Sequence, residues 1–204
     1  MIAYYDILFG LSVLLTFVYL AIWHKHFDVH VTLIFSFIPI ANLGYCLMAH
    51  SRSLEAALTS MKIAYVGGSF LSLFITLSIL SLCHIKLKRW MNAVLTLLSF
   101  ISYAFVLTMG NAPYFYKTVS FEIDHGVGRL IKTYGFAHTL TYAIFVLFLL
   151  ISFSAMVYSF FKKKDVSNKT IILLLFPAGL TFLSYFIGKL LPHGIEAVPM
   201  SFIF

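Results

Sequence analysis

This sequence contains unusually few charged residues. Only 10% of the 204 residues are charged and just seven are acidic, whereas 61% are hydrophobic and the mean hydropathy is +0.98. These values lie far outside the range of soluble globular proteins. Because one membrane crossing takes about 20 apolar residues, a chain of this length can hold roughly seven transmembrane helices and little else.

The scarcity of cysteine, of histidine within the apolar runs and of catalytic motifs excludes several kinds of site. The two cysteines, Cys46 and Cys83, are predicted near opposite ends of adjacent antiparallel helices, too far apart for a disulfide. No histidine falls in the middle of an apolar run, which argues against haem, and residues 63–83 contain no acidic counter-ion for a retinal. No nucleophile–base pair or phosphate loop is present either. The sequence therefore predicts neither enzyme activity nor a cofactor.

The apolar runs predict an all-α membrane protein. Its fold would be a seven-transmembrane-helix bundle in which the seventh helix is cut short, so that the chain is the N-terminal portion of something longer. The whole of residues 1–204 would form one transmembrane domain, with helices at about 7–23, 31–49, 63–83, 90–109, 136–161, 170–191 and, in part, 198–204.

The distribution of basic residues predicts the orientation. Eight of the fourteen fall in the loops after the first, third and fifth runs, against two acidic residues, whereas the other side carries six basic and five acidic residues. Basic residues favour cytoplasmic loops, so the N-terminus is predicted to lie outside. The net charge of +7 is then explained by membrane orientation, and no nucleic-acid partner is implied.

Residues 111–135 form the one long segment on the predicted outer side. The sequence TVSFEI alternates apolar and polar residues, and HGVG is typical of a turn. This pattern predicts an extracellular β-hairpin-like loop between helices 4 and 5, lying over the bundle. Loops of this length are often functional, although a packed cap is an equally good interpretation.

Polar residues near the outer ends of the helices are candidate ligand-binding residues. Asn42 follows Pro39 by three residues and lies on the same face of helix 2. There it would either line an outward-facing cavity or form an interhelical hydrogen bond. The other candidates share a position at the outer rim, where they would line a pocket or simply anchor the interface: Asn111, Tyr114, His138, Tyr142 and Glu196. The cytoplasmic HKHFDVH loop is a weaker metal-binding candidate.

Several short motifs resemble the N-terminal seven-helix sensor region of bacterial histidine kinases and diguanylate cyclases. The segment S-L-E-A-A at 53–57 precedes a K-x-x-Y-x-G pattern at 62–67, Y-G at 134–135 leads to His138, and I-E-A-V-P occupies 195–199. The motif residues carried over by this resemblance are Glu55, Lys62, Tyr65 and Gly67. Phe136 departs from the resemblance, because that family often has a proline after the glycine.

The resemblance implies a sensory input domain in the bacterial inner membrane. Such a domain would bind an unknown small ligand and relay the signal through helix 7 to a C-terminal cytoplasmic output domain, in a possible homodimer surrounded by lipid. Two alternatives from other classes remain open. One is a small transporter using the proline-containing helices, although no internal repeat is found, and the other is a membrane assembly subunit without a ligand.

Overall fold

The computed structural model describes residues 2–22 and 28–162, which form five helices and a two-stranded sheet. The helices are α1 (Ile2–Ile22), α2 (Val29–His50), α3 (Leu54–Leu82), α4 (Arg89–Leu107) and α5 (Phe136–Lys162); the strands are β1 (Tyr116–Asp124) and β2 (Val127–Tyr134). All five helices are long and apolar enough to cross a membrane. The helices predicted at 170–191 and 198–204, together with Glu196, lie outside the described residues.

Helix α3 begins at Leu54. The apolar run predicted at 63–83 is only its later part, whereas Ser53 in the sequence indicates the N-cap and is confirmed in that role. Ser53 has extended backbone angles, and its hydroxyl accepts a hydrogen bond from the Ala56 amide at 3.3 Å. This cap satisfies one of the free amides of the first turn, and Glu55 adds a favourable charge there. The polar flank of the run is therefore part of the same helix.

Side-chain contacts show that consecutive helices alternate in direction. At one end of the α1–α2 pair Asp6 meets His50, and at the other Tyr19 meets Thr32. The α2 C-terminus and the α3 N-terminus consequently meet, with the Ser51 and Ser60 hydroxyls 3.4 Å apart. We call this end of the bundle, where α2 and α4 end and α1, α3 and α5 begin, the hairpin end.

Two glycines allow α2 and α3 to approach closely. A Cβ atom on Gly44 would collide with the backbone of Ala64, and one on Gly67 would collide with the Cβ of Ala41. Small residues at such crossings let helix backbones pack directly against each other in a membrane. Gly67, which the sequence placed in a family motif, thus has a packing role between these two helices.

The hairpin fills the segment between α4 and α5 and rests on the end of α2. His125 (φ +48°) and Gly126 (φ +83°) both have positive φ, as a two-residue type I′ turn requires. A Cβ atom on Gly128 would lie 2.8 Å from the Met48 carbonyl oxygen, so β2 passes directly over the α2 C-terminus. Arg52 also donates a hydrogen bond to the Gly126 carbonyl at 3.0 Å.

Asp28 joins α2 to α3 at the opposite end of the bundle. Its Oδ1 accepts the His30 amide at 2.7 Å and caps α2, while its Oδ2 accepts the Ser81 hydroxyl at 2.5 Å. Partial burial raises the pKa of Asp28, but the hydrogen bonds from Ser81 and His30 outweigh it and hold the pKa below its ordinary value of 3.8. In the HKHFDVH loop, this carboxylate thus serves as a cap.

The glycine contact predicts a difference between two neighbouring substitutions. Gly67→Ala forces the α2 and α3 backbones apart and should lower the free energy of unfolding by about 1–3 kcal/mol. Gly68→Ala is the matched control, because its Cβ would meet the Tyr65 ring at 3.6 Å, an ordinary contact. Thermal unfolding in detergent checks both, and equal stability of the two variants would contradict the proposed close packing.

The Asp28 contacts predict a pH-dependent effect of Ser81→Ala. Because the folded-state pKa is lowered, the carboxylate stabilises the fold above its ordinary pKa and loses that contribution as the pH falls through the lowered value. Ser81→Ala should therefore cost about 1 kcal/mol near neutral pH and nothing once Asp28 is protonated. Unfolding in detergent at neutral and acid pH measures this, with Ser36→Ala as a control. A cost that persists undiminished in acid would argue against the Asp28 contact.

Candidate functional site

A cluster of aromatic rings fastens the hairpin to the helices. Phe115, which precedes β1, is completely buried at 0% exposure. Its ring makes edge contacts with Tyr65 of α3 at 5.2 Å, Tyr116 at 5.1 Å and His138 of α5 at 5.3 Å. Tyr134, the last residue of β2, stacks on the His138 ring at 3.9 Å. We call these five residues the aromatic cluster.

The backbone around Gly135 explains how β2 leads directly into α5. The Gly135 amide donates to the Phe115 carbonyl at 2.8 Å, and the Ala137 amide donates to the Tyr114 carbonyl at 3.0 Å. A Cβ atom on Gly135 would collide with the Tyr114 carbonyl oxygen. A glycine after Tyr134 is therefore needed for the hairpin to close on the start of α5, and this closure brings His138 to Phe115.

The hairpin carries several charged groups, one of which contacts the aromatic cluster. The Lys132 ammonium lies 5.6 Å from the centre of the Tyr116 ring, a cation–π distance. On the same hairpin, Arg129 pairs with Glu122 at 3.3 Å and with Asp124 at 3.1 Å. The hydrogen bond with the His125 ring, followed by that from Arg129, lowers the pKa of Asp124, so this partly exposed carboxylate is charged at neutral pH.

The structure brings some of the predicted rim residues together. His138 and the motif residue Tyr65 both touch Phe115, and Tyr114 adjoins them through an edge contact with Phe136 at 5.7 Å. Tyr114 is 48% exposed. Tyr134, stacked on His138, is 52% exposed. Aromatic side chains with a polar tip suit a position between apolar and aqueous surroundings, so Tyr114, Tyr134 and His138 form a partly open rim.

Two other predicted residues lie beside this rim and not in it. Asn111 is exposed in the turn that ends α4, where its amide donates to the Thr108 carbonyl at 3.0 Å. Tyr142 is one helical turn further along α5, with its ring 6.3 Å from Phe145. Both residues share the hairpin end with the aromatic cluster.

The remaining motif residues have local roles in α3. Glu55 is exposed in the first turn, and Lys62 is half-buried. Neither forms an ion pair with a residue in the described ranges. The sequence also suggests an ion pair of Glu196 with Lys189 or Lys62 at the rim; because residues 189 and 196 lie outside those ranges, this pair stays a prediction.

Asn42 is a buried polar group deeper in the bundle. It is 1% exposed, and its side-chain nitrogen and oxygen both lack a hydrogen-bond partner among residues 2–22 and 28–162. Nearby, Pro39 frees the Phe35 carbonyl because proline has no amide hydrogen. The Thr16 hydroxyl of α1 donates to that carbonyl at 2.7 Å. The hydrogen bond that Pro39 cannot make is thus replaced by one from Thr16, whereas the side-chain amide of Asn42 is available for a further polar partner.

Sequence reasoning missed Phe115 and used Tyr134 only as part of a motif. A single phenylalanine between two tyrosines carries no signal of burial, because its environment is made by helices distant in the chain. The one available signal was the pair Tyr134-Gly135 before α5. A glycine at such a position is typical of a close backbone approach, which here is the return of the hairpin to the residues before β1.

Comparison with known proteins gives one family. The model of the N-terminal 7TM region of histidine kinase matches residues 7–204. No curated protein and no solved structure matches the chain.

Proposed function

Because the chain belongs to the family of N-terminal 7TM regions of histidine kinases, we propose that it senses a ligand at the hairpin end and relays the signal to a cytoplasmic output domain. The relay runs through the predicted seventh helix. In this proposal the protein is a multi-pass domain of the bacterial inner membrane with its N-terminus outside, and its output domain is a kinase or a cyclase that acts in a homodimer.

The observation that carries this proposal is the attachment of the hairpin to two helices through Phe115. Its ring contacts Tyr65 on α3 and His138 on α5, so a displacement of the hairpin changes the packing of both helices. A ligand that prefers one arrangement shifts the population toward it. Helices α3 and α5 are themselves joined lower in the bundle, where the Ser152 hydroxyl donates to Thr76 at 3.0 Å.

The rim of the aromatic cluster is the proposed ligand site. Tyr134 is 52% exposed, His138 is half-buried beneath it, and Tyr114 offers a second hydroxyl at the surface. Small molecules with one apolar face and a few hydrogen-bonding groups fit such a lining. In this proposal Asn111 and Tyr142 lie beside the ligand, Asn42 supplies a polar group below it, and Glu196 remains a predicted ligand residue outside the described ranges.

The proposed orientation is supported by the charge bias of the loops. The turn between α3 and α4 contains Lys86 and Lys88, and α4 opens with Arg89. These residues lie at the end of the bundle opposite to the hairpin, where the positive-inside rule places the cytoplasm. The hairpin, with its Arg129 ion pairs to acidic residues, then faces the outside.

Cysteine labelling tests the orientation. In a chain carrying Cys46→Ser and Cys83→Ser, the single substitution Ser120→Cys on exposed β1 should react with a membrane-impermeant maleimide on spheroplasts. Lys86→Cys, in the turn after α3, should react only after lysis. The opposite labelling pattern would overturn both the orientation and the idea that the hairpin receives an external signal.

A chimera tests the relay. In this chimera, about 13 further apolar residues complete the predicted seventh helix after residue 204 and lead into a cytoplasmic histidine kinase domain. There the double variant Tyr134→Ala/His138→Ala loosens the hairpin and should change basal autophosphorylation by at least about 5-fold, the lower end of common coupling between sites. Phe153→Ala, at a 56% exposed position of α5, is the control and should leave the output unchanged.

Kinase output identical in the wild-type and double-variant chimeras would contradict the role of the aromatic cluster. Solute uptake by liposomes containing the chain, together with unchanged kinase output, would favour the transporter alternative.

A further inference from the structure

Three metal-ligating side chains meet at the hairpin end, away from the aromatic cluster. Asp6 lies in the first turns of α1, and Cys46 and His50 lie near the end of α2. The Asp6 Oδ1 atom is 2.8 Å from His50 Nε2 and 3.2 Å from Cys46 Sγ. The three ligand atoms all lie within 4.8 Å of one another. A carboxylate, a thiol and an imidazole therefore converge on one point.

The fold holds this arrangement in place from both helices. Cys46 and His50 are four residues apart, so they project from the same face of α2. Their neighbour Ala49 is fully buried against Tyr5 of α1 and Val127 of β2. Because Tyr5 adjoins Asp6 in the chain, the same packed contact fixes the carboxylate opposite the other two groups.

We propose that Asp6, Cys46 and His50 bind a divalent transition metal ion of the Zn²⁺ type, with water completing the coordination. With metal–ligand bonds of about 2.0–2.3 Å in a tetrahedron, the ligand atoms stand about 3.3–3.8 Å apart. To meet this spacing, Asp6 withdraws by roughly 0.5 Å from its present hydrogen bonds, and the thiol and imidazole, within 4.8 Å of each other, adjust around the ion. The ion takes the place of the protons that now join the three groups.

The chemistry of the ligands selects the metal class. Thiolate and imidazole favour Zn²⁺ and similar ions, whereas Mg²⁺ and Ca²⁺ prefer sites made of oxygen alone. One thiolate and one carboxylate neutralise the two charges of the ion, and the neutral imidazole adds a third bond. The Asp6 and His50 side chains are 46% and 49% exposed, so solvent reaches the remaining position. Three protein ligands and an open position make an exchangeable site.

A bound ion would join the start of α1 to the end of α2 beside the docked hairpin. This site is separate from the rim of the aromatic cluster, and metal binding there does not depend on the sensory function. Since the thiol loses its proton on binding, affinity rises with pH.

Cobalt provides a direct test with the full chain in detergent. Titration with Co²⁺ should give a thiolate-to-metal charge-transfer absorption that saturates at one ion per chain and disappears when Zn²⁺ is added. Cys46→Ser should abolish the absorption, and His50→Ala or Asp6→Ala should weaken binding by at least about 10-fold. Cys83→Ser removes the other cysteine, at the opposite end of α3, and should change nothing. His125→Ala is the matched control for an exposed histidine paired with a carboxylate.

A second measurement avoids any variant at the site. In the Cys83→Ser chain, Zn²⁺ should slow alkylation of Cys46 by at least 10-fold, a factor set by the expected occupancy, and a chelator should restore the original rate. Absence of the charge-transfer absorption, its persistence in Cys46→Ser, or alkylation unaffected by Zn²⁺ would each overturn the proposal.

Discussion

The close packing of α2 against α3 is the constraint on which the described structure depends. Backbones can approach this closely only where side chains are absent, and Gly44 and Gly67 provide that space opposite two alanines. The approach sets the end of α2 beside the start of α3. The hairpin then rests on this joint, with Gly128 over the α2 carbonyls and Arg52 bonded to the turn. The positions of Phe115 and of its partners on α3 and α5 follow from this arrangement.

The helices and the strands were predictable from the sequence because each depends on local pattern. Ser53 and Glu55 mark the start of α3 by capping chemistry, and His125-Gly126 marks the turn by its tolerance of positive φ. The apolar runs gave the positions of five helices within a few residues, except where α1 and α3 extend into polar flanks. The predicted sixth and seventh helices concern residues beyond 162.

The candidate site was predictable only in part, because it depends on contacts between distant segments. His138 and Tyr65 were selected for their chemistry at helix ends, yet the residue that joins them, Phe115, has no sequence feature that marks it as buried. Asp6 and Cys46 are 40 residues apart in the chain, so no local pattern brings the carboxylate and the thiol together. The spacing of four residues shows that Cys46 and His50 share one face of α2. The third ligand, Asp6, belongs to α1, and only the packing of the two helices shows that it meets them.

The hydrogen bond from Thr16 to the Phe35 carbonyl has a consequence for biogenesis. A carbonyl without a partner is costly in hydrocarbon, since no water is present to solvate it. If α2 entered the bilayer alone, the Phe35 carbonyl oxygen would have no hydrogen-bond donor until another helix packed against it, because Pro39 has no amide hydrogen. Helix α1 carries the missing donor and precedes α2 in synthesis, so leaving the translocon as a helical pair is the route of lower energy for these two segments.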